Sequence, residues 1–255
     1  MNKQFETLPK GKKVFFASDF HLGVPDNKRS LEREKKIIRW LDSIKNDAAA
    51  IFLVGDIFDF WFEYKHVIPK GFVRFQAKLL ELKDQRIPII FFTGNHDMWM
   101  FDYFEKEFEI PIYRSPETFM IAGKKVYVGH GDGLGPGDHF YKFLKFFFNS
   151  KVCKWAFSWL HPNIGVGIAQ YWSGKSRLAN DHADDGYKGE GEWLLQYCKE
   201  LEDSDPHDLY VFGHRHLPIE VEVGQSSKYI NLGEWVHHCT FLTMDEHSYE
   251  LSEYK

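Results

Sequence analysis

Short apolar runs punctuate the chain, and each one breaks off into glycine and polar residues. Val14–Ala17, Ala50–Val54, Ile87–Phe92, Val126–Val128 and Leu209–Phe212 are too brief for ordinary helices and mostly rich in Val, Ile and Phe. Such runs predict buried strands. Two amphipathic stretches lie between them. Leu31–Ile44 carries Ile37, Ile38, Leu41 and Ile44, and Phe72–Leu82 carries Phe72, Phe75, Leu79 and Leu82. These spacings predict helices with one apolar face. Strand and helix in alternation predict an α/β fold. Beyond Phe212 the pattern changes to Ile219–Val223, Lys228–Leu232 and Cys239–Met244, which predict a closing antiparallel β region.

The polar residues that end the runs form a pattern of their own. Val14–Ala17 leads to Asp19 and His21, and Ala50–Val54 leads to Gly55-Asp56. Ile87–Phe92 leads to Gly94-Asn95-His96-Asp97, Val126–Val128 to Gly129-His130-Gly131-Asp132, and Leu209–Phe212 to Gly213-His214-Arg215-His216. In an α/β sheet the carboxyl ends of strands form the binding edge. Five strand ends thus bring carboxylate, amide and imidazole groups to one rim. That donor set suits two adjacent divalent cations, with manganese first and iron or zinc as alternatives, and it suits calcium less well. Asp56 is the natural bridging carboxylate, with its two oxygens reaching both cations. The glycines beside these residues allow tight turns at close quarters.

Composition narrows the classes. The 255 residues suffice for one substantial core and one inserted subdomain, and the 24 Phe, 12 Tyr and 8 Trp supply much apolar surface. A formal net charge of -5 argues against a general nucleic-acid binder. The three cysteines, Cys153, Cys198 and Cys239, are scattered, which argues against a disulfide framework and for a reducing compartment. Met1–Lys13 lacks the apolar run of a signal peptide, and no stretch nears the roughly 18 apolar residues of a membrane span. A cytoplasmic protein is expected.

The ordered blocks resemble those of the calcineurin-like metallophosphoesterases, across about Val14 to His216. The resemblance implies a four-layer sandwich of two mixed β-sheets flanked by helices. It implies Asp19, His21 and His216 on one metal, Asn95, His130 and His214 on the other, and Asp56 on both. It further implies hydrolysis of a phosphoester by hydroxide generated between the cations. His96, beside the second metal and with Asp97 next to it, would protonate or stabilise the leaving oxygen.

Within that family, Ser18-Asp19-Phe20-His21-Leu22-Gly23, Gly55-Asp56-Ile57-Phe58-Asp59-Phe60-Trp61, His130-Gly131-Asp132-Gly133-Leu134 and Leu232-Gly233-Glu234-Trp235 are similar to the UDP-2,3-diacylglucosamine diphosphatases of lipid A biosynthesis. The implied reaction cleaves the pyrophosphate to UMP and 2,3-diacylglucosamine 1-phosphate. The implied substrate contacts are Asn95, His96, His214, Asp138, Tyr141, Ser176 and Asn180. His96 stands where the best-known branch has arginine, and Ala183 where it has lysine. Another nucleotide or phosphodiester substrate therefore stays open.

Spacing points to an insertion. The ligand blocks lie 37, 39 and 35 residues apart from Asp19 to His130, and then 84 residues separate His130 from His214. The surplus predicts a helical cap at about 138–183 on a core formed by 1–137 and 184–255. His139 to Asn180 contains no acidic residue but six basic ones, interleaved with aromatics. Basic aromatic helices suit an acylated, anionic substrate at the cytoplasmic face of the inner membrane. The alternative is that the aromatics simply pack the cap together.

Overall fold

A computed structural model describes residues 2–137, 139–169, 171 and 186–255. Two six-stranded sheets lie face to face. The first has the order β1 (Asn2–Phe5), β6 (Glu117–Ile121), β7 (Lys124–Gly129), β8 (Leu209–Phe212), β10 (Lys228–Leu232) and β9 (Pro218–Glu222). The second runs β12 (Tyr249–Glu253), β11 (Thr240–Met244), β2 (Lys13–Ala17), β3 (Ala48–Val54), β4 (Ile89–Phe92) and β5 (Ile112–Tyr113). Both are mixed: β2, β3 and β4 are mutually parallel, as are β7 and β8, while β11 returns antiparallel to β2.

The apolar runs are continuous because both faces of these strands are covered. Alternate residues Val14, Phe16, Ala50, Phe52 and Val54 point into the inter-sheet core, where they meet Val126, Val128, Val211 and Ile230. The Phe52 ring packs edge-on against Phe119 of the other sheet, with centroids 5.1 Å apart. The intervening residues Phe15, Ala17, Ile51, Leu53 and Phe91 turn outward under helices α1 (Asn27–Ile44), α2 (Val73–Asp84) and α3 (Tyr103–Phe108). Helix α1 starts at Asp26, whose carboxylate caps the Arg29 N–H at 2.9 Å. Its buried face uses Trp40 rather than Ile38, beside Ile37, Leu41 and Ile44. The outer face of the first sheet packs Tyr210, Phe212 and Tyr229 against Leu194, Leu195 and Cys198 of α7 (Trp193–Ser204). The result is the four-layer α/β sandwich expected.

One expectation changes. The closing β segments do not form one antiparallel region. β10 is antiparallel to β9 but parallel to β8, and the β11–β12 pair belongs to the opposite sheet. Loop residues 233–239 carry the chain from one sheet to the other, and the Trp235 ring is buried against Phe20 and Trp40.

After β7 the chain leaves the sandwich for helices α4 (His139–Asn149), α5 (Lys151–Ser158) and α6 (162–169). Helix α5 buries none of its residues. Phe157 and Phe148 lean on Trp99, at centroid distances of 4.7 and 5.9 Å. Most of the other large apolar side chains face outward, among them Phe143, Phe146, Val152, Trp155, Trp159 and Ile164. Among the described residues, no helix is long and apolar enough to cross a membrane.

Candidate metal centre

The carboxyl ends of β2, β3 and β4 face those of β7 and β8 across the sandwich, and the polar residues of all five meet there. Asp19, His21, Asp56 and His216 offer ligand atoms within 4.8 Å of one another, and so do Asp56, His130 and His214. Asp56 belongs to both groups. Asp19 Oδ1 lies 3.6 Å from His21 Nε2 and 3.2 Å from His216 Nε2, while Asp56 Oδ2 lies 3.2 Å from His130 Nε2.

Backbone geometry is strained at this point. Asp19, His21, Asp56, His214 and His216 all have φ between 44° and 68°, the left-handed region that side chains other than glycine and asparagine disfavour. Such conformations cost on the order of 1–3 kcal/mol each and persist where surrounding contacts impose them. Here the two sheets supply those contacts. Asp19 Oδ2 accepts the His214 N–H at 3.0 Å, and Asp56 Oδ1 accepts the His96 N–H at 2.8 Å. The His130 Nδ1–H donates to the Val54 carbonyl at 2.9 Å, directing Nε2 into the centre.

Each carboxylate is thus fastened by one oxygen and presents the other. Asp19 Oδ1, Asp56 Oδ2, Asn95 Oδ1 and His130 Nε2 are buried atoms without a hydrogen-bond partner. Buried polar atoms are nearly always satisfied. Three of the four, on Asp19, Asp56 and His130, belong to the two groups above, and such orphans of ligand type fit a pair of divalent cations. The sequence reading had Asp56 bridging through its two oxygens. With Oδ1 committed to His96, Oδ2 alone is presented to both groups.

Electrostatics agree with that fit. Burial opposes ionisation of Asp19, but His130, His21 and His216 outweigh it and hold the carboxyl well below its usual range. Burial opposes ionisation of Asp56 too, and the neighbouring imidazoles, His130 first, outweigh it and leave the carboxyl lowered. Burial likewise opposes protonation of His21 and His130, yet the surrounding carboxylates raise both to about 10. Burial and the nearby His130 push His214 down to about 4. The pocket therefore attracts positive charge strongly while keeping His214 neutral.

Glycine is required here chiefly for space. A Cβ on Gly94 would sit 2.2 Å from Asp56 Oδ1, and one on Gly213 would sit 2.5 Å from Asp19 Oδ2.

Two residues expected in catalytic roles are held by specific contacts. Asp97 is fully buried and accepts the N–H groups of Gly94 (2.7 Å), Ile57 (2.8 Å), Asp56 and Phe58 (both 3.3 Å). It positions the Asp56 loop. Burial and the Asp56 charge raise it to about 7. His96 packs against His21 of the first group, with ring centroids 4.9 Å apart, and its N–H bonds Asp56, the residue common to both groups. Burial lowers its pKa. The residue that sequence reading missed is Asp59. Its carbonyl oxygen lies 2.9 Å from His96 Nδ1, and its carboxylate lies 3.6 Å from His21 Nδ1 and 3.8 Å from His96 Nδ1. The only signal was its place three residues after Asp56.

The Tyr141 hydroxyl donates to Asp132 at 2.8 Å, its ring lies 6.3 Å from that of His214, and Lys145 pairs with Asp132 at 2.6 Å. Helix α4 is thereby anchored beside the centre. Arg114, Ser115, Thr93 and Lys145 line a cleft next to His130. Asp138, Ser176 and Asn180 lie outside the described residues.

The sequence matches the calcineurin-like phosphoesterase family over residues 12–218. The chain belongs to that family. Among its relatives is a UDP-2,3-diacylglucosamine hydrolase of Porphyromonas gingivalis, 33% identical over 246 residues that cover 91% of this chain and 94% of the relative. A protein of the same name from Shewanella halifaxensis is 25% identical, covering 94% of this chain and 98% of the relative. Another, from Histophilus somni, is 25% identical over 88% of this chain and 92% of that protein. This phosphoesterase is a metal-dependent hydrolase by family, and its convergent donors are the groups such an enzyme needs.

Proposed function

We propose that the chain hydrolyses the pyrophosphate bond of UDP-2,3-diacylglucosamine, giving UMP and 2,3-diacylglucosamine 1-phosphate, a step of lipid A biosynthesis. The observation that carries this reading is likeness along nearly the whole length of hydrolases with that name, through the cap as well as the core. Asp19, His21, Asp56 and His216 hold one divalent cation, and Asp56, Asn95, His130 and His214 hold the other. Their mixed nitrogen and oxygen donors suit manganese, iron or zinc better than calcium, and manganese is the ion proposed. Cations bound there supply water activation and neutralise phosphoryl charge. The protein's own part is orientation. The Val54 carbonyl aims His130, the Asp59 carbonyl orients His96, Asp97 holds the Asp56 loop, and His96 lies beside the first group to hydrogen-bond the substrate.

The outward aromatics of α4 and α5, with Lys142, Lys151 and Lys154 among them, suit an anionic lipid surface and support a place at the cytoplasmic face of the inner membrane. The deciding experiment compares turnover of the acylated UDP-sugar with that of an aryl phosphodiester. Preference for the lipid is expected, and inactivity toward it would refute the assignment. His96, in place of arginine, is the one observation favouring a second reading: a phosphoesterase for another nucleotide or phosphodiester.

A further inference from the structure

Arg215 stands between two candidate ligands, His214 and His216, and its side chain runs inward away from them. It is buried, as is Glu192, which is fully enclosed at the start of α7. The Arg215 Nε–H reaches both carboxylate oxygens of Glu192, at 3.0 and 3.2 Å, and an η-nitrogen donates to the Gly186 carbonyl at 2.6 Å. The guanidinium also lies over the Trp193 ring, 5.3 Å from its centroid. One side chain thus joins the ligand loop after β8, the first turn of α7, and the chain at Gly186 that leads into it.

A buried ion pair is a poor route to stability, because desolvation offsets most of the attraction and apolar packing of equal volume often does as well. What such a pair fixes is geometry. The loop it holds needs fixing: His214 and His216 both adopt left-handed φ, at 68° and 56°. The Arg215 N–H bonds to the Gly213 carbonyl at 2.8 Å, and buried Asn231 grips the same carbonyl. A planar guanidinium with directional donors orients such a loop better than the point charge of a lysine.

We infer that Arg215, through Glu192 and Gly186, is a positioning residue that sets His214 and His216 for metal and ties their loop to the chain leading into α7. The inference rests on the reading of those two histidines as ligands.

The test measures Mn2+ affinity by calorimetry on metal-stripped full-length protein, for wild type, Arg215→Met, Arg215→Lys, Glu192→Gln and His216→Ala. Arg215→Met is expected to weaken Mn2+ binding about tenfold or more, with Arg215→Lys recovering part of the loss. Glu192→Gln keeps the shape of the pair, so it serves if Arg215→Met does not fold, and it should weaken binding in the same direction. Amide exchange over residues 186–193 should quicken in Arg215→Met or Glu192→Gln. A lowered melting temperature with wild-type Mn2+ affinity in the folded variants would overturn the inference. If His216→Ala loses affinity while the Arg215 and Glu192 variants do not, only the positioning role fails. If His216→Ala binds Mn2+ as wild type does, the ligand reading fails and this inference with it.

Discussion

Replacing Asp97 by Asn separates a positioning role from a catalytic one. The carboxylate accepts four backbone N–H groups, two on each oxygen: Gly94 and Asp56 on Oδ1, Ile57 and Phe58 on Oδ2. An amide keeps one acceptor and turns an NH2 toward the other pair of donors. Two charge-assisted bonds disappear, and two buried N–H groups lose their partner. At about 1–3 kcal/mol for each unsatisfied group, the expected loss is about 3–5 kcal/mol. That is a large share of the roughly 5–15 kcal/mol by which domains are stable. At about 2–4 °C per kcal/mol for a chain of this size, the melting temperature should fall by about 10 °C. Because the donors belong to the Asp56 and Gly94 loops, metal content should fall with it. Differential scanning fluorimetry and elemental analysis read both quantities on one preparation. A variant that melts like wild type and retains its metal, yet loses one limb of its pH–rate profile, would show Asp97 exchanging protons with substrate and refute the reasoning.

Further outcomes follow from the same geometry. Gly94→Ala places a methyl 2.2 Å from Asp56 Oδ1 and 2.7 Å from the Asp56 nitrogen, so the carboxylate must move. Displacements near 1 Å can cost on the order of 10²-fold in rate, and kcat on an aryl phosphodiester should fall by about that much. Asp56→Ala removes the one donor common to both groups, so elemental analysis should find the content of both ions reduced; unchanged stoichiometry would exclude Asp56 as a bridge. In the metal-free protein His21 and His130 are raised from 6.5 to about 10, so the stability gained from their protons is complete below about 6.5 and is lost as pH rises through about 10. Metal needs the neutral imidazoles. The melting-temperature gap between metal-loaded and chelator-treated protein should therefore widen from pH 6 to pH 9, and a constant gap would contradict this. Replacing exposed Trp155 and Trp159 together by Ser should weaken sedimentation with anionic vesicles while leaving aryl phosphodiester turnover unchanged.

Much of the fold lay open in the residue pattern because buried strands and amphipathic helices leave periodic signatures. Leu209–Phe212 and Lys228–Leu232 coincide with their strands, while α1 and α2 begin within a few residues of the expected starts. The short strands β1, β5 and β12 left no such signature, since edge positions such as Asn2–Phe5 alternate weakly and are half exposed. The support that Asp97 gives the Asp56 loop was illegible for a related reason. The residue's neighbours in sequence suggest chemistry, but its side chain turns into the protein, and chain order says nothing about which way a carboxylate points.

By itself, the sequence determined which residue types end each strand, and therefore that nitrogen and oxygen donors gather at one rim. It also marked an aromatic, basic segment after His130, because composition and spacing survive in one dimension. Only the tertiary structure decided that the five strand ends come from two opposed sheets, and that Asp56 presents one oxygen rather than two. It alone set Asp97 under the Asp56 loop and brought Asp59 and Arg215 into the support of the centre. Those outcomes depend on hydrogen bonds between residues far apart in the chain: Asp19 with His214, Val54 with His130, Glu192 with Arg215. Such contacts are set by how the two sheets face each other, and no local pattern encodes that.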